Sequence, residues 1–379
     1  MTHRILYNVN IPRFFVSHRL PLALAARDAG YDVHVTTSDA DTENIQKIYD
    51  AGLQFYPLPL AQHGTNPLSE INTLRAMIML YRELKPDIIH HVSIKPVIYG
   101  GIAARLTGIP AVVGAMSGLG RVFSDNNTKA KILRQIVRPM FKIALSHRNT
   151  SMIFQNPDDQ QTFINMGLIK ENRTELIRGS GVDLDVFTPV PETEDKPIVL
   201  FAGRLMWKKG VAEFVEAAKE LGEKARFVIV GYSEPTSPDA VPEEYLKQQA
   251  EAGIIEWWGK RDDMPDVFAQ SHIVCLPSSY GEGVPRVLIE AAACERPIVA
   301  TDTPGCREIT IHNDNGLLFP VGNNPAMIAA LEKLIESPEL RHKMGKRGRE
   351  IVHQGFSLQI VTSQTLALYE KLLSNHGAS

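Results

Sequence analysis

The stretch Ser278 to Glu290, SSYGEGVPRVLIE, concentrates residues that can bind and polarise a ligand. A strand-like run ends there in a loop whose Gly281 and Gly283 let backbone approach a bound group closely. Pro285 suits the first turn of a helix, because its missing N–H has no partner to lose there. The amides of such a helix start form an anion site. Glu282 lies on the loop and Glu290 in the helix. Carboxylates accept paired hydrogen bonds from hydroxyls, which is what sugar and ribose diols present. The plainer alternative is that Glu290 pairs with Arg286 at i,i+4, worth about 0.2–0.5 kcal/mol on an exposed face.

A second segment, Phe201 to Gly210 (FAGRLMWKKG), ends another strand-like run with Gly203 and sets Arg204 and Lys209 before a helix. Arginine offers phosphate a planar fork and lysine a point charge, so the pair suits a diphosphate. A solvated basic turn is the competing reading. A third segment carries no acid between Asn126 and Pro157 but has Lys129, Lys131, Arg134, Arg138, Lys142 and Arg148, interleaved with Ile, Leu, Val, Met and Phe. Lys131, Arg134, Arg138 and Lys142 form a cationic stripe beside an apolar one, the composition of a helix lying on anionic lipid. A helix packing its apolar face on a domain core shows the same pattern.

The elements that must hold these segments alternate. Strands are expected at Arg4–Asn8, Val33–Thr37, Asp87–His91, Ala111–Ala115, Pro197–Phe201, Arg226–Val230, Ile254–Trp258, Ile273–Leu276 and Pro297–Ala300. Helices are expected at Ser17–Ala29, Val97–Leu106, Val211–Leu221 and Pro285–Cys294. Val/Ile-rich strands alternating with helices predict an α/β chain of two doubly wound, Rossmann-like domains with a cleft between them. The tract Thr188 to Lys196, with two prolines, three acids and no periodicity, reads as the linker. The expected domains are therefore 1–187, a linker over 188–196, 197–356, and a helix over 357–379 packing back toward the first domain.

The 379 residues, 44% hydrophobic and 22% charged, are ample for two buried cores. A formal charge of −3 argues against a nucleic-acid binder. The first 190 residues hold 20 Lys+Arg against 16 Asp+Glu, so the basic excess falls in that half. Three cysteines, Cys275, Cys294 and Cys306, fit no zinc spacing and no disulfide framework. A reducing cytoplasm is the simplest expectation. Asp183-Leu-Asp185 fits a DxD metal pattern but sits just before the linker and is not read as a metal site, and His90 and His91 cannot both point to one metal, since adjacent strand side chains point to opposite faces. A dinucleotide oxidoreductase should carry G-x-G-x-x-G after its first strand, and Asn8 to Phe15 contains no glycine.

Taken together, Gly203–Gly210, Glu282–Glu290, Gly179–Phe187 and Pro304–Ile309 resemble the retaining nucleotide-sugar glycosyltransferases of family 4, which have the GT-B fold. The resemblance spans nearly the whole chain. It implies that Arg204 and Lys209 hold the donor diphosphate, that Glu282 bonds the donor sugar and acts with them in catalysis, and that Glu290 holds the ribose. It places Gly203, Gly283, Val284 and Pro285 against the donor and Lys260 near the base. No metal and no cofactor is expected beyond the UDP-sugar co-substrate. His91 to Gly101 and Ser117 to Phe123 are similar to the CapM-like branch that extends polyprenyl-diphosphate-linked sugars, which implies N-acetylgalactosamine as the transferred sugar. His18, Lys95, Ser117 and Arg121 are then the expected acceptor contacts, with Ser17 a candidate helix cap. The sequence departs from the family at Val92 and Ser117, where many members carry histidine, and at Ile11–Phe15, which replaces a glycine-rich turn. The implied setting is the cytoplasmic face of the cell membrane, with the basic helix on anionic lipid. The alternatives are a family 4 transferase using another UDP- or GDP-sugar on a soluble or other lipid acceptor, and a non-catalytic nucleotide-sugar-binding subunit.

Overall fold

The computed structural model describes residues 2–60, 66–119, 128–234 and 237–377. The chain divides into two compact units, Met1–Ser180 with Leu358–Ser379, and Gly181–Ser357.

The first unit is built on seven parallel strands: β1 (Arg4–Val9), β2 (Asp32–Thr37), β3 (Gln54–Pro57), β4 (Ile88–Val92), β5 (Ala111–Ala115), β6 (Thr150–Phe154) and β7 (Thr174–Leu176). Their order is β3-β2-β1-β4-β5-β6-β7. Every residue of β4, β5 and β6 is buried, as expected of strands covered by helices on both faces. On one face Ile5, Tyr7 and Val9 pack against the helix Leu20–Asp28 and the helix Leu358–Gly377, through Leu22, Ala23, Val361, Leu368, Tyr369 and Leu372. On the other, Leu6, Ile89 and Val112 meet the helices Pro67–Leu84 and Gly101–Thr107.

The helix expected over Ser17–Ala29 is instead two, Pro12–His18 and Leu20–Asp28, each with proline in its first turn. Proline's fixed φ starts the first helix five residues earlier than the apolar periodicity suggested. Ser17 therefore caps nothing: its hydroxyl donates back to the Arg13 carbonyl at 2.7 Å, inside the helix.

His90 and His91 point to opposite faces. His90 Nδ1 lies 2.6 Å from the Tyr369 hydroxyl, and His91 Nε2 lies 3.0 Å from that of Tyr81, which also accepts from Asn8 at 2.7 Å. Burial depresses both imidazoles, His91 to about 3. The unfolded chain binds protons at these rings near pH 6.5 while the folded chain does not, so stability is retained above that value and falls below it. We expect Tm to drop progressively between about pH 6.5 and 3 and the His91→Phe variant to lose part of that slope; an identical slope would contradict the assignment.

The second unit is a six-stranded parallel sheet of β8 (Ile198–Ala202), β9 (Arg226–Val230), β10 (Glu256–Trp257), β11 (Ile273–Leu276), β12 (Ile298–Thr301) and β13 (Gly316–Phe319). Its order, β10-β9-β8-β11-β12-β13, is that of a dinucleotide-binding sheet.

The expected linker at Thr188 to Lys196 is not where the chain crosses. Val182 and Phe187 belong to the second core, and the Val182 amide donates to Phe356. Beyond them, the Val190 carbonyl accepts from Arg296, and the Glu192 carboxylate accepts from Arg341 Nε at 3.2 and 3.0 Å and from its Nη2 at 2.8 Å. Proline and acid content made this tract look like a spacer, but it is stitched onto the second unit. The crossings fall at Ser180/Gly181 and Ser357/Leu358.

Candidate functional site

In the second sheet the strand order reverses between β8 and β11, and their carboxyl ends carry the two motifs. Ligands of open α/β sheets bind outside the strand ends at such a switch point. After β8 the chain runs through Gly203, Arg204 and the short turn Trp207–Lys209, then Gly210 opens the helix Val211–Leu221. Gly210 has φ +86, and a Cβ there would lie 2.3 Å from the Pro277 carbonyl. Only glycine lets this helix start so close to the end of β11. After β11, the loop through Glu282 leads to Pro285 and the helix Arg286–Ala293. The first amides of both helices lack intrahelical acceptors and carry the positive end of the helix dipole.

Two carboxylate–cation pairs stand on these elements. Lys209 Nζ meets Glu282 Oε2 at 2.8 Å, and the Ser278 hydroxyl donates to Glu282 Oε1 at 3.1 Å. Both partners are largely buried, Lys209 at 8% exposure. Arg286 Nε meets Glu290 Oε1 at 2.6 Å. The i,i+4 pair is thus formed, yet not on the exposed face that the plainer reading supposed: Glu290 is buried, and burial pushes its carboxyl upward against the opposing pull of Arg286. Arg204 is more exposed, its Nη1 3.8 Å from Glu234. Lys260 sits beyond β10, half exposed, 3.7 Å from Asp262.

The loop is braced from behind. The Thr301 hydroxyl donates to the Ser278 carbonyl, and the helix Pro304–Ile309 abuts Gly283 so tightly that a Cβ on Gly305 would meet the Gly283 carbonyl. Cys306 beside it is buried, its thiol pushed up to about 12 by desolvation, so it is no nucleophile. Along the same edge Gly231 donates to Gly259, and a Cβ on Gly231 would collide with the Gly203 carbonyl. The structure thus brings Gly203, Arg204, Lys209, Glu282, Gly283, Val284, Pro285 and Glu290 to one rim, with Lys260 farther along it. Glu234 and Gly305 were not anticipated. Glu234 lies in a loop with no motif of its own, while Gly305 was visible only as part of the segment Pro304–Ile309.

The expected acceptor residues lie in the first unit and only partly converge. Lys95 follows β4, where Ser93 adopts φ +80, and enters a π-helical turn over Pro96–Gly100. Its ammonium meets Glu70 at 2.6 Å, a half-buried pair that sequence spacing did not suggest. Ser117 follows β5, the neighbouring strand, and is half-buried. His18 instead ends the helix Pro12–His18, roughly 9 Å of helix rise from its start. There it stacks on Phe14 with ring centroids 4.2 Å apart. Arg121 lies outside the described residues. A hollow of about 110 Å³ at Arg134, Gln135, Arg138 and Met166 is too small for a nucleotide. Among the described residues no cluster of three or more His, Cys, Asp or Glu could hold a metal.

Two Rossmann-type sheets, one with paired cations and carboxylates at its switch point, define a GT-B glycosyltransferase. Residues 4–156 match the family described as Glycosyl transferase 4-like, and residues 185–351 match Glycosyl transferases group 1. The chain belongs to these family 4 glycosyltransferases, and it is a hexosyltransferase by its relatives. It is 29% identical over 370 residues to the N,N'-diacetylbacillosaminyl-diphospho-undecaprenol alpha-1,3-N-acetylgalactosaminyltransferase of Campylobacter jejuni, covering 94% of this chain and 96% of that one. It is 26% identical to the capsular polysaccharide biosynthesis glycosyltransferase CapM of Staphylococcus aureus, covering 92% of each. Among solved structures, Anabaena HepE in complex with UDP superposes with a TM-score of 0.78 at 18% identity, over 97% of this chain and all of that one. Sucrose-phosphate synthase of Thermosynechococcus elongatus superposes at 0.81 and 20% identity, over 98% of this chain and all of that one. These two likenesses establish the GT-B fold.

Proposed function

We propose that the protein transfers a sugar, N-acetylgalactosamine from UDP-GalNAc, onto a polyprenyl-diphosphate-linked mono- or oligosaccharide, with retention at the anomeric carbon. The observation that carries the donor half is the Lys209–Glu282 pair beside Arg204 at the β8/β11 switch point. The acceptor half and the choice of sugar rest on the likeness to the C. jejuni transferase, which acts on diacetylbacillosaminyl-diphospho-undecaprenol. In this reading Arg204, Lys209 and the amides after Pro285 stabilise the negative charge that grows on the departing UDP. Glu282 and Glu290 accept hydrogen bonds from the donor sugar and ribose. Glu282 already being paired, the donor phosphate shares Lys209 with it rather than meeting a bare lysine. The C1–O bond to UDP breaks as the acceptor oxygen bonds C1 from the same face, and the acceptor proton passes to the leaving phosphate oxygen. Neither a metal nor another cofactor enters this scheme. On the acceptor side Lys95, Ser117, Arg121 and His18 remain the proposed contacts, with Lys95 and Ser117 the two at the strand ends.

The test is a screen of UDP- and GDP-sugars for transfer onto a synthetic polyprenyl-diphospho-sugar. UDP-GalNAc should be turned over fastest, with an α-linked product. Preference for another sugar would correct the donor, and no transfer from any donor would favour a non-catalytic binding subunit.

We further propose that the first unit rests on the anionic cytoplasmic surface of the cell membrane. No helix among the described residues is long and apolar enough to cross it. In the helix Thr128–Leu145, Val137, Phe141, Ala144 and Leu145 are buried in the unit, yet Ile132, Ile136 and Ile143 are each more than half exposed. The two readings of this helix are therefore compatible: one stripe packs inward, and a second apolar stripe faces out among Lys131, Arg134, Arg138 and Lys142. The helix Gly101–Thr107 beside it adds exposed Leu106, and the helix Pro67–Leu84, packed on that one in turn, adds exposed Leu68, Ile71 and Met79. Aliphatic side chains set among cations are what an anionic bilayer surface favours. Vesicles containing phosphatidylglycerol should co-sediment the wild type and lose a variant with Glu at 131, 134, 138 and 142; equal binding would favour a soluble acceptor.

A further inference from the structure

In the first sheet the strand order reverses between β1 and β4. The carboxyl end of β4 is therefore its switch point, where open α/β sheets take ligands. Two departures from regular backbone stand there. Ser93 holds φ +80, a strained region for a residue other than glycine, and Pro96–Gly100 forms a π-helical turn. Together they carry Lys95 from the strand end to the helix Pro67–Leu84, whose Glu70 meets its ammonium at 2.6 Å. The two side chains are 19% and 13% exposed, within reach of a ligand yet mostly withdrawn from water. Tyr99, on the same π-helical turn, lies against the carboxylate. Burial and then the Glu70 charge push its phenol up to about 12, so it stays a donor. A pair so withdrawn from water contributes little to stability, because desolvation offsets its attraction.

We infer that the Glu70–Lys95 pair reads the sugar of the acceptor rather than its diphosphate, with Glu70 a specificity-determining contact. The inference rests on the reading that the acceptor is lipid-linked. A diphosphate calls for surplus positive charge, and this ammonium is already balanced by a carboxylate that repels phosphate oxygens. The neighbouring helix start adds no surplus. Asn66 Oδ1 accepts from the Leu68 amide there, and Glu70 itself offsets the helix dipole in the first turn. A sugar hydroxyl both donates and accepts, which matches a carboxylate set beside an ammonium. A carboxylate has about four lone-pair sites, more than Lys95 and Tyr99 take up.

Equilibrium binding to the full chain without donor tests it, with farnesyl diphosphate as probe, bare and carrying diacetylbacillosamine or N-acetylglucosamine. The wild type should bind one sugar-bearing probe roughly tenfold or more tighter than bare farnesyl diphosphate. Glu70→Ala and Lys95→Met should each bring that ratio close to one, while the Kd for bare farnesyl diphosphate stays near that of the wild type. Combining the two should lose no more than either alone, since the residues act as a unit. Should Glu70→Ala not fold, Glu70→Gln keeps an oxygen for Lys95 but turns the other acceptor into a donor, and should still lower the ratio several-fold. The ratio is read without turnover, so it can hold where transfer fails and fail where transfer holds. A pair that merely staples the helix to the strand end would lower Tm and leave the ratio intact, which overturns the inference. So does a wild type that binds the probes equally, or a Lys95→Met variant that weakens bare farnesyl diphosphate as much as the sugar-bearing probe.

Discussion

Lys209→Met should lower turnover by about two to three orders of magnitude while leaving the KM for the acceptor close to that of the wild type. Lys209 is held in place before any ligand arrives: it is buried at the head of the helix Val211–Leu221 and lies 2.8 Å from Glu282. A cation fixed where charge develops costs no reorganisation during the reaction, and losing it raises the barrier directly. The variant also strands Glu282, leaving it the Ser278 hydroxyl at 3.1 Å. Adding Glu282→Gln to Lys209→Met should therefore recover stability without recovering turnover. Steady-state kinetics alongside thermal unfolding separates the two effects. A folded Lys209→Met enzyme with near-normal turnover would remove the lysine from the charge-stabilising role.

Glu192→Ala should be the most damaging single change to stability away from the site. Glu192 and Arg341 are both buried, with side chains 8% and 5% exposed. Arg341 also donates to the Leu334 and Ile335 carbonyls, capping the helix Asn324–Ile335. Removing the carboxylate leaves a buried guanidinium without its counter-ion, a loss of about 3–5 kcal/mol. For a unit of this size that is a fall of roughly 6–20 °C in Tm. A double change of both residues to apolar side chains should cost much less than Glu192→Ala alone, since two charges are then spared desolvation. Calorimetry decides it: a shift of a degree or less in Glu192→Ala would mean that 188–196 is a loose spacer after all.

That tract shows where reading the chain by composition fails. Pro189, Pro191 and the acids around them look solvated, and nothing nearby in the chain reveals that Glu192 meets a partner 149 residues later. The same limit hid the site's internal pairing. Glycines, a proline at a helix start and a pair of basic residues are legible because each has a local reason to stand there. The Lys209–Glu282 contact joins residues 73 apart, and only the switch-point topology brings them together. Most buried strands were legible as continuous apolar runs, but β6 and β13, buried yet begun by Thr150 and Gly316, were missed, as were β3 and β7, with half-exposed residues and no alternation. Ser17 looked like a cap because serine favours that place, but Pro12 had already started the helix. The outward isoleucines of the basic helix were invisible for another reason: periodicity shows that two stripes exist, not which of them a neighbour covers.

The most direct test of the central claim is a crystal structure of the protein with UDP or its sugar bound. The diphosphate should lie within hydrogen-bonding distance, about 3 Å, of Arg204, Lys209 and the amides after Pro285, with the ribose hydroxyls on Glu290. A nucleotide bound away from the β8 and β11 strand ends, touching none of residues 204, 209, 282 and 290, would contradict it.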